Sequence, residues 1–378
     1  MNEKYILSTL NEFNIPEIPK EINFWMIRTK KGYFYDEFVE NKFVALGWNA
    51  INKNTDVSKS SQETLKEYLS NTYGEKRPKL AINKCNNFIN EIKEGDILLI
   101  PNKGTRKITF AIAGEYYEEC FSEKDELSII EKINNSDVQV YSVECPYNKR
   151  RRIKILKTVY TKNINIHLYM ALTNYHGLSN LADYAKNILD SVYPIYIYNN
   201  ICSLQVGINN QDEIDAHSLS MLTAGIIDCL QLITGEKKIC TTMNLNSPGK
   251  ISWWITDKKQ QDNIERKAFD FLKKGSSKVI LLAIIIGITG GEIKAGNVEI
   301  SLPGIAKVIE DIKTIDSTVK KKEIEVEQLE IENFNDKYDI YKKIKNDNID
   351  VDTFQKDLNK IIEAGKELNL GFDKLNNN

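Results

Sequence analysis

Short apolar runs separated by turn residues predict several β-strands in the first half of the chain. These runs are rich in β-branched and aromatic residues and end near Gly, Pro or Asn, as strands of a small sheet do. The predicted strands cover residues 24–28, 44–48, 97–100, 107–114, 138–143 and 151–159. Two of them, 97–100 and 107–114, flank a short Asn-Lys-Gly turn and so predict a hairpin.

Helical periodicity interrupts this strand pattern at three places, residues 60–73, 79–92 and 176–192. The alternation does not form a βαβ repeat, and no Gly-rich phosphate-binding loop follows a strand. We therefore expect an α+β protein whose residues 21–193 form a mixed, partly open β-barrel. A leading helix over residues 1–20 is expected to end at Pro16 and Pro19.

The second half predicts a middle α/β unit over residues 194–300. It contains a strand at 201–208, a helix that begins at Asp215 and a hairpin within 240–255. The apolar segment 279–289 holds 11 residues, whereas a membrane-spanning helix needs about 20. Burial in a core is therefore favoured over membrane contact for this segment.

Residues 301–378 predict a C-terminal helical unit. Apolar residues recur every three or four positions from Ile305 onward, which is typical of one helix face. Two interpretations stay open: a helical hairpin that packs on its own domain, or a homo-oligomer formed through residues 305–345.

Composition and net charge exclude several kinds of partner and of metal or disulfide site. The net charge of −2 excludes a globally basic nucleic-acid coater but leaves room for a local basic surface. The six cysteines form no Cys-x-x-Cys pair and the three histidines are far apart, which argues against a zinc site or a disulfide framework. With no secretory pattern at the start, we expect a cytoplasmic protein without metal or cofactor.

One such basic surface is predicted near residue 150. No acidic residue occurs between Cys145 and Ala182, and this span is rich in Lys and Arg. The candidates for contact with nucleic-acid phosphates are Arg150, Arg151, Arg152 and Lys154. The alternative is a sheet edge protected by charges against pairing with other strands.

Three stretches of the first half, taken in order, resemble a known module. They are Phe-Trp-Met-Ile-Arg at 24–28 with Gly32, then Phe38 followed by Val-Ala-Leu-Gly-Trp at 44–48, and then Gly-Asp-Ile-Leu-Leu-Ile-Pro at 95–101. This order is similar to the PUA/EVE-like module that accompanies Mrr-type restriction endonucleases and related bacterial defence proteins. The resemblance covers less than half of the chain.

The resemblance implies recognition of an extruded, often modified, base in an aromatic pocket. Stacking on an aromatic ring contributes about 1–3 kcal/mol per base. The ligand-binding candidates are Trp25, Arg28, Tyr35, Trp48 and Asn49. We expect Gly47 to let a ligand approach the backbone beside Trp48. The alternative is that the large aromatics fill the barrel core.

The leading interpretation is a non-enzymatic protein of bacterial defence or regulation that senses nucleic acid, DNA in preference to RNA. A first rival is a metal-dependent nuclease of the restriction type, in which Glu292 holds the metal and Lys294 assists the attacking water. The turn glycines around this triplet instead favour a simple hairpin. A second rival is an oligomerising effector that disrupts membranes through residues 279–289.

Overall fold

The computed structural model describes most of the chain. It covers residues 15–56, 59–135, 144–174, 177–199, 201–208, 213–234, 239–244, 249–256, 281, 284–285, 292–295, 298–301, 350–368 and 370–371. The predicted strand 138–143 and the proposed association segment 305–345 lie outside these residues, as does the predicted helix before residue 15. The chain divides into two compact units, Lys20–Val192 and the chain that flanks it on both sides.

Six strands of the first unit form one sheet. They are β1 (Phe24–Ile27), β2 (Phe43–Leu46), β3 (Ile97–Pro101), β4 (Lys107–Glu118), β5 (Lys149–Tyr160) and β6 (Leu178–Asn180). Their order across the sheet is β2-β5-β4-β3-β1-β6. Strands β1 and β3 pair in parallel, while all the other pairs are antiparallel. The sheet curls into a half-barrel, so the α+β prediction is confirmed.

Within the described residues of this unit, six α-helices accompany the sheet. They are α1 (Tyr35–Glu40), α2 (Lys59–Tyr73), α3 (Pro78–Asn86), α4 (Glu123–Asn134), α5 (Ile166–Asn174) and α6 (Ala185–Val192). One large hydrophobic cluster fills the unit, with side chains from β1 to β5 and from α1 to α4. Its fully buried members include Phe34, Phe38 and Phe88. Burial of such apolar surface is the main stabilising contribution to folding.

The five predicted strands of this unit that lie within the described residues are confirmed, as is the hairpin, but the predicted helix over 176–192 is wrong in its first half. Leu178–Asn180 is strand β6, antiparallel to β1, and helix α6 begins only at Ala185. The edge of β1 explains the difference, because its unpaired backbone groups need partners. The amide of Arg28 donates to the Gly177 carbonyl at 3.1 Å, and that of Leu181 donates to the Phe24 carbonyl at 2.7 Å.

The second unit is built on another antiparallel sheet. Its strands are β7 (Ile195–Tyr198), β8 (Ile201–Ile208), β9 (Ile239–Asn244) and β10 (Gly249–Thr256), with a short β13 (Leu370–Gly371) at one edge. Helix α7 (Ala216–Thr234) begins where it was predicted, because the Asp215 carboxylate accepts the Ser218 amide at 2.6 Å. Strands β11 (Glu292–Ala295) and β12 (Val298–Ser301) form a separate hairpin.

Residues 350–368 and 370–371 belong to this same unit. Helix α8 (Val351–Leu368) packs closely on α7, since a Cβ added to Gly225 would lie 2.8 Å from Cγ1 of Ile361. Strand β13 then pairs with β8. In the apolar segment, the three described residues, Leu281, Ile284 and Ile285, are helical and buried. Among the residues described, no helix is long and apolar enough to cross a membrane.

Candidate functional site

The most unusual backbone among the predicted site residues is that of Trp48, in the loop that follows β2. We call residues 47–51 the Trp48 loop. Trp48 has a φ of 60°, in the left-handed region that bulky residues rarely adopt. A residue held there costs about 1–3 kcal/mol and persists only where its surroundings fix it. The Trp48 side chain is half-buried and packs against the hydrophobic cluster.

The carboxylate of Glu126 holds the amide side of this loop. Its Oε1 accepts the Trp48 amide at 2.7 Å, and its Oε2 accepts the Asn49 amide at 2.8 Å. The Tyr73 hydroxyl donates to Oε2 at 3.0 Å. Glu126 lies in the first turn of α4, where the helix dipole stabilises negative charge. Burial raises its pKa above the ordinary value, although these hydrogen bonds oppose the rise.

The ammonium of Lys149 holds the carbonyl side of the same loop. Its Nζ donates to the Trp48 carbonyl at 2.7 Å and to the Ile51 carbonyl at 2.6 Å, and the side chain is fully buried. Burial lowers the pKa of Lys149, while the charge of Glu126 acts in the opposite direction. Two buried, opposite charges thus satisfy the backbone groups of a loop that has no sheet or helix partners.

Gly47 has a different role from the one expected. A Cβ added to Gly47 would lie 2.9 Å from Oε1 of Glu126 and 2.9 Å from Cε1 of Tyr147. The space beside this glycine therefore holds protein side chains. Asn49 is also committed to the fold, because its amide group donates to the Pro146 carbonyl at 2.8 Å and accepts from the Asn148 amide at 2.9 Å. Neither residue is presented to a ligand.

Trp25 and Tyr35 are core residues, which corrects their prediction as pocket walls. Trp25 is 4% exposed, and its indole N–H donates to Oδ2 of Asp96 at 2.9 Å. Tyr35 is 2% exposed, and its hydroxyl lies 2.6 Å from Oγ1 of Thr109. Both large rings fill the interior and satisfy their polar atoms there, as buried aromatics usually do.

Arg28 is half-buried and joins the end of β1 to neighbouring segments. Its Nη1 donates to the Thr105 hydroxyl at 2.9 Å, and its Nη2 donates to the Leu172 carbonyl in α5. Burial lowers its pKa. The guanidinium thus positions the chain after β1 relative to α5.

The basic strand β5 divides into a buried and an exposed part. Arg150 donates to the carbonyls of Tyr147 and Cys145 at 3.0 and 2.8 Å, and Arg151 donates to three carbonyls at 3.0–3.1 Å. The two arginines are 7% and 4% exposed, so their prediction as phosphate contacts is corrected. Arg152 and Lys154 remain exposed. Nε of Arg152 lies 3.5 Å from Oε1 of Glu115, and the Arg152 guanidinium lies over the Tyr117 ring.

The periodicity of α4 contains a signal for Glu126 that the sequence analysis missed. Glu126, Ile129, Ile130 and Ile133 follow the spacing of one helix face, and the three isoleucines pack in or against the core. A carboxylate on such an apolar face needs buried partners. For Lys149 the signal is weaker, because it begins a run of four basic residues whose burial depends on strand pairing.

In the second unit, β11 contains Glu292 and Lys294, which therefore lie on one face of a two-stranded hairpin. Both residues therefore lie in a strand instead of in the expected turn. Within the parts of the chain that the structure describes, no group of three or more His, Cys, Asp or Glu side chains could hold a metal ion.

A cavity of about 380 Å³ opens between α7 and α8 and is lined mostly by polar residues, among them Asp228 and Lys360.

A family model described as a domain of unknown function, DUF8426, matches residues 25–173. This range contains the Trp48 loop, Glu126 and Lys149. No curated protein and no solved structure matches the chain.

Proposed function

We propose that the first unit recognises nucleic acid and that Trp48 stacks on a base. The observation that carries this proposal is the Trp48 loop itself. Two buried charges, on Glu126 and Lys149, hold a half-buried indole in a strained backbone conformation. Strain of this kind is concentrated at ligand clamps and active sites, where the surrounding structure maintains it.

The chemistry of the site favours a base as the ligand. An indole offers a large π face, and every base has one, so stacking contributes about 1–3 kcal/mol with little demand on sequence. Tyr33 and Tyr73 are half-buried aromatics that pack against the same cluster as Trp48. Because the loop is already ordered, binding would require little further loss of conformational freedom.

The similarity of residues 24–101 to the PUA/EVE-like module supports the same proposal, and so does the curled half-barrel. In our proposal the ligand is an exposed base of DNA or RNA, with or without a modification, and the setting is bacterial defence or regulation. Arg152 and Lys154 are exposed cations on the sheet and supply contacts to phosphates. The sequence analysis named four cations of this strand as phosphate contacts, and only these two are exposed.

The variant Trp48→Ala tests the proposal. We expect its affinity for single-stranded oligonucleotides to fall about tenfold or more, since a stacked base contributes about 1–3 kcal/mol. Fluorescence anisotropy measures the affinity, and thermal melting shows whether the fold survives. Tyr160→Ala is the matched control, because Tyr160 is a surface aromatic with 62% of its area exposed. Equal affinities of the two variants would contradict the proposal.

A further inference from the structure

Helix α5 has two apolar stripes, and only one of them packs in the core. The buried stripe consists of Leu168, Ala171 and Leu172. The other stripe keeps the same spacing of three and four residues but lies at the surface, and it consists of Ile166 (59% exposed), Tyr169 (37%) and Met170 (53%). A helix with apolar residues on more than one face normally has a partner on each. The outer face of α5 has none among the described residues.

Exposed apolar side chains are concentrated in this part of the surface. Among the described residues, seven large apolar or aromatic side chains are exposed, and four of them lie between Tyr160 and Met170. Tyr160 ends β5, and one 3₁₀ turn, Thr161–Asn163, leads from it to α5. Clusters of this kind mark contacts with proteins or membranes, whereas single exposed apolar residues do not. We call Tyr160, Ile166, Tyr169 and Met170 the α5 patch.

Cations from two segments border the α5 patch. Arg28 links the loop before β4 to α5, because its Nη1 donates to the Thr105 hydroxyl at 2.9 Å and its Nη2 donates to the Leu172 carbonyl. The next residue of this loop, Arg106, uses its carbonyl to accept the backbone amide and the hydroxyl of Thr161, at 2.9 and 3.1 Å. The exposed cations beside the patch are therefore Arg106 and Lys162.

The two segments that form this surface contain no acidic residue. Residues 145–182, which include the whole α5 patch, have no Asp or Glu, and neither do residues 102–114. An anionic partner is therefore attracted by both segments and repelled by neither. A second copy of the chain is disfavoured, because a symmetric contact between two α5 patches would bring like charges together.

The side chains of the α5 patch favour an anionic lipid surface over nucleic acid. Isoleucine and methionine offer no π face to a base, but they stabilise binding when they enter the acyl region of a membrane. Tyrosine rings prefer the level of the lipid headgroups. Lysine and arginine attract anionic headgroups and keep their charges in water. The nine residues of α5 are too few to cross a bilayer, which takes about 20, so the contact is with its surface.

We propose that the α5 patch docks the first unit on the surface of an anionic membrane. The aliphatic side chains of Ile166 and Met170 enter the boundary between headgroups and acyl chains, while the two tyrosines of the patch lie at the headgroup level. Arg106 and Lys162 bind the phosphates of anionic lipids. This inference does not rest on the proposed function, since it uses no residue of the Trp48 loop.

Binding of the full chain to vesicles tests the proposal, with sedimentation as the measurement. Ile166→Gln with Met170→Gln removes the aliphatic part of the α5 patch. Leu80→Gln with Met243→Gln is the matched control, because it removes two exposed apolar residues from other elements. We expect the wild type to bind vesicles that contain phosphatidylglycerol, and the first variant to bind them about tenfold more weakly than the control. Each buried methylene contributes about fourfold to such binding, so two aliphatic side chains account for the loss.

A second pair of variants tests the electrostatic contribution. Arg106→Gln with Lys162→Gln removes the cations beside the α5 patch, and Arg77→Gln with Lys79→Gln removes exposed cations of the same types near the start of α3. One cation at an anionic surface contributes about fivefold, so the first variant should bind about tenfold more weakly than its control, or weaker still. Wild-type binding should also decrease with salt and be weak on vesicles of phosphatidylcholine alone. Melting temperatures should change little, since every replaced side chain is exposed.

The remaining outcomes would overturn the proposal. Failure of the wild type to bind phosphatidylglycerol vesicles would do so outright. If only the cation variant weakens binding, the protein adsorbs by charge and α5 does not enter the membrane. If the aliphatic variant binds vesicles like its control but dissociates a wild-type dimer or weakens binding of a single-stranded oligonucleotide, then a second copy or nucleic acid occupies the patch. We expect Trp48→Ala to bind vesicles like the wild type, so failure of either proposal is recognised on its own.

Discussion

Two tryptophans of the same half-barrel, Trp25 and Trp48, have opposite environments. Trp25 lies inside β1, 4% exposed, with its indole N–H bound to Asp96. Trp48 lies just beyond β2, half-buried, with a left-handed backbone. In the sequence both accompany short apolar runs. Contacts from distant residues decide the difference: Asp96 receives the indole of Trp25, whereas Glu126 receives only the backbone of Trp48 and leaves its ring partly free.

The largest effect is expected where the Trp48 loop depends on buried charge. Glu126→Ala leaves the Trp48 and Asn49 amides without acceptors and Lys149 without its nearby negative charge. Each buried donor left without an acceptor costs about 1–3 kcal/mol of unfolding free energy, and the Tyr73 hydroxyl loses its acceptor as well. Urea denaturation measures the loss, with Glu131→Ala, an exposed position on the same helix, as control. Equal stability of the two variants would show that the loop is held by other contacts.

Truncating each tryptophan sharpens the comparison. Trp25→Ala opens a cavity in the core and removes a partner of Asp96, so we expect a loss of about 3–5 kcal/mol. Trp48→Ala removes a half-buried ring from the rim of the core and should cost clearly less. Thermal or urea denaturation of both variants is the measurement. Equal losses of unfolding free energy would show that Trp48 stabilises the core as much as Trp25 does, which would contradict the different environments of the two residues.

The buried carboxylate also predicts a pH dependence. Because burial raises the pKa of Glu126 above its ordinary value of 4.5, the folded state binds the proton more tightly than the unfolded state. The stability from this group is present below the ordinary pKa and is lost as the pH rises through the raised value. As the pH rises, the unfolding free energy of the wild type should therefore fall relative to that of Glu126→Gln. A pH-independent difference would contradict this prediction.

The smallest expected effect isolates the backbone strain at Trp48. Both Trp48→Ala and Trp48→Gly remove the indole, but only glycine adopts a φ of 60° without a steric penalty. The glycine variant should therefore be more stable than the alanine variant by about 1 kcal/mol. Elsewhere in a loop glycine usually destabilises, so the reverse order would mean that the residue is not strained.

The sequence predicted the strands of the half-barrel well, because their apolar content is a local property. It did not predict which cations of β5 are buried. Lys149 and Arg151 point to the same side as the buried Ile153, a period-two pattern that became informative only once the pairing with β4 was known. Strand β6 was missed because it has three residues and depends on the open edge of β1.

The candidate site was predictable only in part. The sequence pointed to Trp48 as a candidate, whereas the residues that hold its loop come from 78 and 101 positions away along the chain. A spacing argument cannot bring Glu126 and Lys149 to one loop. The isoleucine face of α4 still shows that a carboxylate on it must find buried partners, and this is the signal to use in similar sequences.

Indole fluorescence during titration with a single-stranded oligonucleotide tests the central claim most directly. A base stacked on Trp48 alters the emission of that indole and leaves the emission of Trp25 unchanged. We predict that Trp25→Phe retains the ligand-induced change of the wild type and that Trp48→Phe loses it. If instead Trp48→Phe retains the full change, or if wild type shows no change while binding is saturated, Trp48 does not contact the base and the account is wrong.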